Sequence, residues 1–176
     1  MTMWTEIESP AGPVRIIADR GAITAVEFYA TTAEGAPPRS SRAQGVLRAA
    51  GRPVGERNDD DPLLKEAARQ LRGYFDGTLQ EFDLPLRPDG TEFQQRVWAQ
   101  LREIPYGKTM SYGEIAASLG LHRGASRAVG AANGRNPIGI VIPCHRVVGT
   151  NGSLSGYAGG VERKHLLLEL EQGTLF

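Results

Sequence analysis

The only cysteine of the chain, Cys144, lies in a run of residues that suits nucleophilic chemistry, between Pro143 and the pair His145 and Arg146. The thiolate is the reactive form of cysteine; nearby positive groups favour it and apolar burial disfavours it. The apolar stretch 138–142 predicts a short buried strand that the proline ends, which leaves the thiol at a bend beside an imidazole and a guanidinium. Cys144 is therefore a candidate nucleophile, although an isolated cysteine is more often a small buried hydrophobic residue.

Four motifs in a fixed order bear on that choice. Residues 126–130 read Ser-Arg-Ala-Val-Gly, residues 136–137 Asn-Pro, residues 143–148 Pro-Cys-His-Arg-Val-Val and residues 156–160 Gly-Tyr-Ala-Gly-Gly. Together they resemble the O6-alkylguanine-DNA alkyltransferase family, and the resemblance extends over about residues 91–171. Several ordered motifs are far more specific than any one of them.

The resemblance implies a reaction and its catalytic residues. Cys144 would take an alkyl group, chiefly methyl, from O6 of guanine in duplex DNA, with O4 of thymine as a second substrate. Because a thioether has no built-in release, each molecule would react once. His145 would act as the base through a water, and Glu171 would orient the imidazole. From the residues alone, the favoured interpretation of Glu171 is a solvated carboxylate on a helix face.

Other roles also follow from the resemblance. Tyr112 would donate a hydrogen bond to guanine N3 and crowd the phosphate, and Asn136 would hold the turn before the active-site strand. The Gly-rich run 149–160 lacks the spacing of a nucleotide-binding loop and is interpreted as a substrate lid. The expected substrate-binding residues near the base are Val147, Tyr157, Ala158 and Gly159.

Duplex DNA hides the O6 substituent, so the nucleotide must be flipped outward. Arg127 matches the arginine finger with which the family fills the vacated place, on a helix that enters the minor groove. Minor-groove readout is degenerate, which suits lesions that occur in any sequence. Gln94 and Thr150 are further expected DNA contacts, each at a predicted helix N-terminus able to hold a phosphate.

Composition limits the remaining possibilities. The chain has 176 residues, 40% of them hydrophobic and 23% charged, which is ordinary for a soluble globular protein. The N-terminus shows neither a signal peptide nor a spanning helix, and one cysteine permits no internal disulfide, so we expect a cytoplasmic protein without membrane association. No metal site or cofactor is implied. Residues 1–90 carry 11 Lys/Arg against 14 Asp/Glu, whereas residues 91–176 carry 9 against 6. The positive second half suits a phosphate backbone.

The sequence predicts a mixed α/β protein of two domains. Residues 1–77 contain three short candidate strands, an aperiodic stretch at 30–60 interpreted as a long loop, and a helix that begins at Pro62 with Asp61 as its cap. The resemblance makes this domain ribonuclease-H-like. Residues 78–90 are interpreted as a connector.

Residues 91–176 are predicted to form the DNA-binding and catalytic domain. Capping boxes at Thr91 and Ser111 open two helices, a third spans 124–132, and the second and third make a helix-turn-helix. A last helix is predicted over 161–172. The family implies a winged-helix-like arrangement, mostly helical.

Three other functions stay open. A lesion-binding module would recognise alkylated DNA without transfer, a Cys-His-Glu hydrolase would turn over an acyl substrate, and a transcription regulator would prefer one DNA sequence. The expected partner is double-stranded DNA carrying O6-alkylguanine. We expect a monomer, and cooperativity on DNA stays open.

Overall fold

The computed structural model describes residues 1–28, 55–152, 157 and 160–173, which form two compact units, Met1–Asp89 and Gly90–Phe176. The first unit is built on a four-stranded sheet. Its strands are β1 (Thr2–Ile7), β2 (Val14–Asp19), β3 (Ala22–Phe28) and β4 (Glu56–Arg57), in the spatial order β3-β2-β1-β4. The first three pair antiparallel and β4 runs parallel to β1.

Among the described residues of the first unit, the helix that covers this sheet is α1 (Pro62–Phe75). The Asp61 side chain accepts a hydrogen bond from the backbone N–H of Leu64, and Pro62 occupies the first turn, as the sequence predicts. The face that packs on β1 and β2 is apolar, with Leu64 and Leu71 fully buried. The acidic run before α1 therefore serves as a cap.

Two expectations for the first unit change. The end of the stretch interpreted as a loop, 30–60, contains β4, which pairs with β1 through Met3 and Trp4; residues 29–54 lie outside the described residues. The sequence predicts a connector over 78–90, but this stretch also bonds β3: the N–H of Ile23 donates to the carbonyl of Pro85, and the N–H of Arg87 donates to the carbonyl of Ile23. Residues up to 89 thus belong to the first unit.

The second unit is mostly helical. Its elements are α2 (Glu92–Leu101), β5 (Met110–Ser111), α3 (Tyr112–Ser118), a 3₁₀ turn (Arg123–Ala125), α4 (Ser126–Gly134), a 3₁₀ turn (Cys144–Arg146), β6 (Val147–Val148) and α5 (Val161–Gln172). The capping boxes at Thr91 and Ser111 both form. Helices α3 and α4 pack together as the predicted helix-turn-helix. The mixed α/β class, with a sheet-containing first domain and a helical second domain, is confirmed.

The core of the second unit fixes the segment that carries the cysteine. Trp98 on α2 is 1% exposed and donates its indole N–H to the carbonyl of Ala132 on α4 at 2.8 Å. Short strands β5 and β6 pair in parallel, Met110 with Val147. The cysteine turn, which immediately precedes β6, is thereby held beside the start of α3. No helix in the described part of the chain has both the length and the apolar character that crossing a membrane requires.

Candidate active site around Cys144

The segment leading to the cysteine is a turn, and the predicted strand over 138–142 is wrong. Residues 139–142 form a turn and a bend, with the N–H of Ile142 bonded to the carbonyl of Ile138, and Ile140 adopts φ 68°. The Asn136 side chain provides backbone hydrogen bonds that a neighbouring strand would have made. Its Oδ1 accepts from the N–H of Ile138 and its Nδ2 donates to the carbonyl of Ile142 at 2.8 Å. The isoleucines are buried as expected, without a strand.

Cys144 begins a 3₁₀ turn and is 4% exposed. Burial raises the pKa of its thiol, while a hydrogen bond from Asn136 and the charge of Lys164 act in the opposite direction. The sequence predicts that the neighbouring His145 and Arg146 favour the thiolate, but both of those side chains bond Glu171. The positive charge that favours the thiolate is instead that of Lys164 on α5.

His145 is fully buried, and its Nε2 lies 2.5 Å from Oε2 of Glu171. Burial lowers the pKa of the imidazole, and the Glu171 carboxylate offsets only part of this effect. The ring is therefore neutral near pH 7. Since an ionised carboxylate can only accept, Nε2 carries the proton and Nδ1 carries a lone pair. His145 is held in the tautomer that a general base requires.

Glu171, on α5, is surrounded by donors. Arg146 donates from Nε to Oε1 at 2.8 Å and from Nη2 to Oε2 at 3.2 Å, and the N–H of Gly107 donates to Oε1 at 3.2 Å. Burial would raise the pKa of this carboxyl, but bonds and charges from His145 and Arg146 lower it to about 2. Gly107 adopts a left-handed conformation, φ 78°, and an added Cβ would lie 3.3 Å from the carbonyl oxygen of Glu171. Glycine therefore suits that turn.

The sequence predicts Arg146 only as a positive charge beside the thiol and does not reveal its structural role. Besides Glu171 it donates from Nη1 to the carbonyl of Ile104 at 2.7 Å, and its guanidinium lies 5.7 Å from the ring centre of Tyr106. It is 7% exposed. A buried guanidinium needs such a set of acceptors, and its effect is to keep Glu171 ionised.

Lys164 is a second residue that the sequence did not single out. It lies on α5, is buried, and its Nζ is 5.8 Å from the ring centre of Tyr112. Burial lowers its pKa to about 8, although the nearby Cys144 acts to raise it. The sequence does not show what each face of α5 packs against, so the position of Lys164 beside the thiol could not be predicted. Here the face meets the thiol.

Two tyrosines lie near the site, Tyr112 beside Lys164 and Tyr157 beside Cys144. Tyr112, half-buried at the start of α3, lies close to Gly130 of α4, where an added Cβ would be 3.7 Å from the ring. Tyr157 is 7% exposed, and burial together with the charge of the Cys144 thiolate raises its pKa well above 10. It therefore stays neutral and lies near the thiol. Asn133, at the end of α4, donates from Nδ2 to the Cys144 carbonyl at 3.2 Å.

The remaining predicted residues are spread over the second unit. Arg127 is exposed in the first turn of α4, and Gln94 lies in the first turn of α2 with its side chain used in the capping box. Thr150 is exposed but lies in the turn 149–152, so its expected position at a helix N-terminus is wrong. Val147 is fully buried in β6. Ala158 and Gly159 lie outside the described residues.

Comparisons with known proteins agree along the whole chain. Residues 2–88 match the ribonuclease-like domain of 6-O-methylguanine DNA methyltransferase, and residues 92–173 match its DNA-binding domain. A methylated-DNA–protein-cysteine methyltransferase of Methanosarcina acetivorans is 45% identical over 164 residues, 93% of this chain and 94% of that protein.

Solved structures are similar over the same length. The O6-methylguanine methyltransferase of Mycobacterium tuberculosis is 43% identical with a TM-score of 0.81, covering 100% of this chain and 96% of that one. A structure of the same bacterium's protein in complex with DNA is 42% identical with a TM-score of 0.75, covering 98% of this chain and 94% of that one.

Proposed function

The chain belongs to the 6-O-methylguanine DNA methyltransferase family, and on that premise we propose that it repairs alkylated DNA by moving the alkyl group from O6 of guanine to its own Cys144. The group is chiefly methyl, and each molecule reacts once. The observation that carries the proposal is a buried, neutral imidazole beside the only cysteine, bonded to a carboxylate at Nε2 and open at Nδ1.

The reaction is a displacement at carbon. The thiol proton passes through a water to Nδ1 of His145, the sulfur forms a bond to the alkyl carbon, and the bond from that carbon to O6 breaks with its electron pair left on the guanine. The Tyr112 hydroxyl donates to N3 as charge develops there. The released guanine takes up one proton, which balances the proton lost by the thiol.

The site explains why a buried thiol can react. Burial alone holds the proton on sulfur, but Asn136 and the Lys164 ammonium both stabilise the thiolate once it forms. Glu171, kept ionised by Arg146, stabilises the imidazolium. O4-alkylthymine presents the same bond from alkyl carbon to oxygen and is included as a second substrate.

Access to the lesion requires that the nucleotide leave the duplex, which costs a few kcal/mol. We assign this role to α4, whose exposed Arg127 fills the vacated place while its small residues Ala128 and Ala131 permit close approach to the minor groove. The backbone near Val147 and Tyr157 reads the edge of the flipped base. The protein acts on duplex DNA as a monomer.

A titration with DNA in excess tests this function. Duplex containing O6-methylguanine is incubated with the protein, and the number of repaired bases is expected to reach a plateau of one per protein molecule. Cys144→Ser should bind the lesion and repair none. Continued repair beyond the plateau would overturn single transfer, and repeated hydrolysis of an acyl ester would favour the hydrolase instead.

A further inference from the structure

Two buried polar atoms beside the nucleophile have no hydrogen-bond partner among the described residues of the second unit: Oδ1 of Asn133 and Nδ1 of His145. Asn133 is 1% exposed and His145 is 0% exposed. Buried polar atoms nearly always have a partner, either a protein group or an ordered water. Each of these two atoms therefore needs a hydrogen-bond donor.

Both atoms are acceptors. The Asn133 amide donates from Nδ2 to the carbonyl of Cys144 at 3.2 Å; a carbonyl cannot donate, so the amide cannot be reversed and Oδ1 faces elsewhere. In His145 the bond from Nε2 to Glu171 leaves the lone pair on Nδ1. Two acceptors cannot bond each other, but one molecule that donates two hydrogens can satisfy both.

Asn133 and His145 both involve the peptide group between Cys144 and His145. Asn133 is bonded to the carbonyl of Cys144, and that carbonyl belongs to the peptide that joins Cys144 to His145. A water molecule has two hydrogens to donate and lone pairs that remain free to accept. It is the smallest group that fits both atoms.

We propose that Asn133 Oδ1 and His145 Nδ1 hold one internal water between them, and that Asn133 is a positioning residue for the proton that Cys144 loses. The inference rests on the proposed function. With both hydrogens directed to Oδ1 and Nδ1, the water presents a lone pair to the thiol.

During transfer the S–H bond breaks and its proton joins the water oxygen, while a water proton moves to Nδ1. The water is restored and an imidazolium forms. The sulfur keeps the electron pair and attacks the alkyl carbon, and the pair of the broken bond to O6 leaves with the guanine. Asn133 takes no proton at any stage, because its amide does not titrate.

Several charged or titratable groups lie near His145 and the Cys144 thiol, and they affect any measurement of pH dependence. Glu171, Arg146 and Lys164 act on His145, and Lys164 and Tyr157 are near the thiol. Replacing Asn133 with leucine changes none of these charges. Any change of pH profile then reports on the proton path.

Asn133→Leu removes the acceptor at nearly constant volume. Transfer from both duplex DNA and a free O6-alkylguanine base is expected to fall about 100-fold at neutral pH, the lower end of what general-base catalysis contributes. The rate should recover at higher pH, where hydroxide takes the thiol proton. A loss that is equal at every pH would overturn the proposal.

Asn133→Asp is the conservative partner of that variant. At about pH 6 burial keeps the new carboxyl protonated, so its O–H donates to the Cys144 carbonyl and its other oxygen accepts from the water. Most of the parent rate should remain. If the leucine and aspartate variants lose the same activity at this pH, Asn133 only holds the carbonyl and the proposal fails.

A high-resolution crystal structure of the unmodified protein supplies an answer even if a variant does not fold. An ordered water within hydrogen-bond distance of both Asn133 Oδ1 and His145 Nδ1 is the expected result. A water on His145 alone, or no water, would overturn the proposal. The parent's own transfer activity is measured in the same series, so a failure of the proposed function appears separately, as no transfer at all.

Discussion

In the described part of the chain, each unit buries one glutamate beside an arginine, and the pKa values of the two carboxyl groups shift in opposite directions. Glu27 and Glu171 are each 6% exposed. Glu27 bonds Arg15 through one oxygen, while its Oε2 has no partner among the described residues, and burial raises its pKa. Glu171 bonds donors through both oxygens, and its pKa falls to about 2.

The difference shows that burial does not decide the charge of a carboxyl group; the number of donors does. Both sites have an arginine, but only Glu171 also receives a histidine and a backbone N–H. A permanently ionised carboxylate can fix the tautomer of an imidazole, whereas one that readily takes a proton cannot. The catalytic assignment of the second unit depends on this contrast.

The largest expected effect comes from exchanging each glutamate for glutamine. Glu171→Gln should slow transfer at neutral pH by about 1000-fold, within the range of general-base catalysis, because the imidazolium loses its counter-charge. Glu27→Gln is the matched control and should leave transfer unchanged. Single-turnover rates on O6-methylguanine duplex measure both. Equal losses would mean that the contrast between the two carboxylates has no catalytic meaning.

The free energy of unfolding of the same two variants should depend on pH in opposite ways. Because the pKa of Glu171 is lowered from 4.5 to about 2, its contribution is present above pH 4.5 and lost as pH falls towards 2. At about 1.4 kcal/mol per unit this amounts to about 3 kcal/mol. Glu27 has a raised pKa, so Glu27→Gln should gain stability relative to the parent as pH rises. Denaturant unfolding at several pH values tests both signs, and two parallel curves would refute them.

Arg127 offers a contrast with the buried arginines, because its side chain is exposed on the first turn of α4. Arg127→Ala should lower transfer from duplex DNA by about 1–3 kcal/mol in apparent efficiency, the scale of a lost base contact and of unstacking. Transfer from a free alkylated base and the melting temperature should hardly change. Equal losses on both substrates would count against a role in flipping.

The smallest expected effect concerns Lys164. Lys164→Met removes the charge that opposes burial at the thiol, so the pKa of Cys144 should rise and transfer near pH 7 should fall about tenfold for each unit of that rise. Because the pKa of Lys164 is about 8, the parent loses the same charge as pH rises further. The difference between parent and variant should therefore narrow above pH 8. A constant ratio across pH would assign Lys164 to packing alone.

Local signals were sufficient for much of the fold. The capping boxes at Thr91 and Ser111 depend on residues three apart, and α5 begins and ends at the predicted residues. The apolar stretch 138–142 was ambiguous, because such a run marks burial in a strand or a turn alike. Only the side-chain bonds of Asn136 distinguish the two.

The candidate site was predictable only where a residue type carries chemistry. Cys144 and His145 lie in a sequence motif, whereas the role of Glu171 follows only from the family resemblance, and the structure brings His145 and Glu171 into contact. Arg146 and Lys164 act through burial and through partners distant in sequence, Ile104 for one and Tyr112 for the other. A sequence contains no direct record of such contacts, so those two roles required the structure.

Mass spectrometry of the reacted protein tests the central claim most directly. After incubation with excess duplex containing O6-methylguanine, the intact protein should gain one methyl group, and peptide mapping should place it on Cys144. The protein should then be inert towards fresh substrate. A protein that repairs DNA while remaining unmodified, or that carries the methyl group on another residue, would contradict the account.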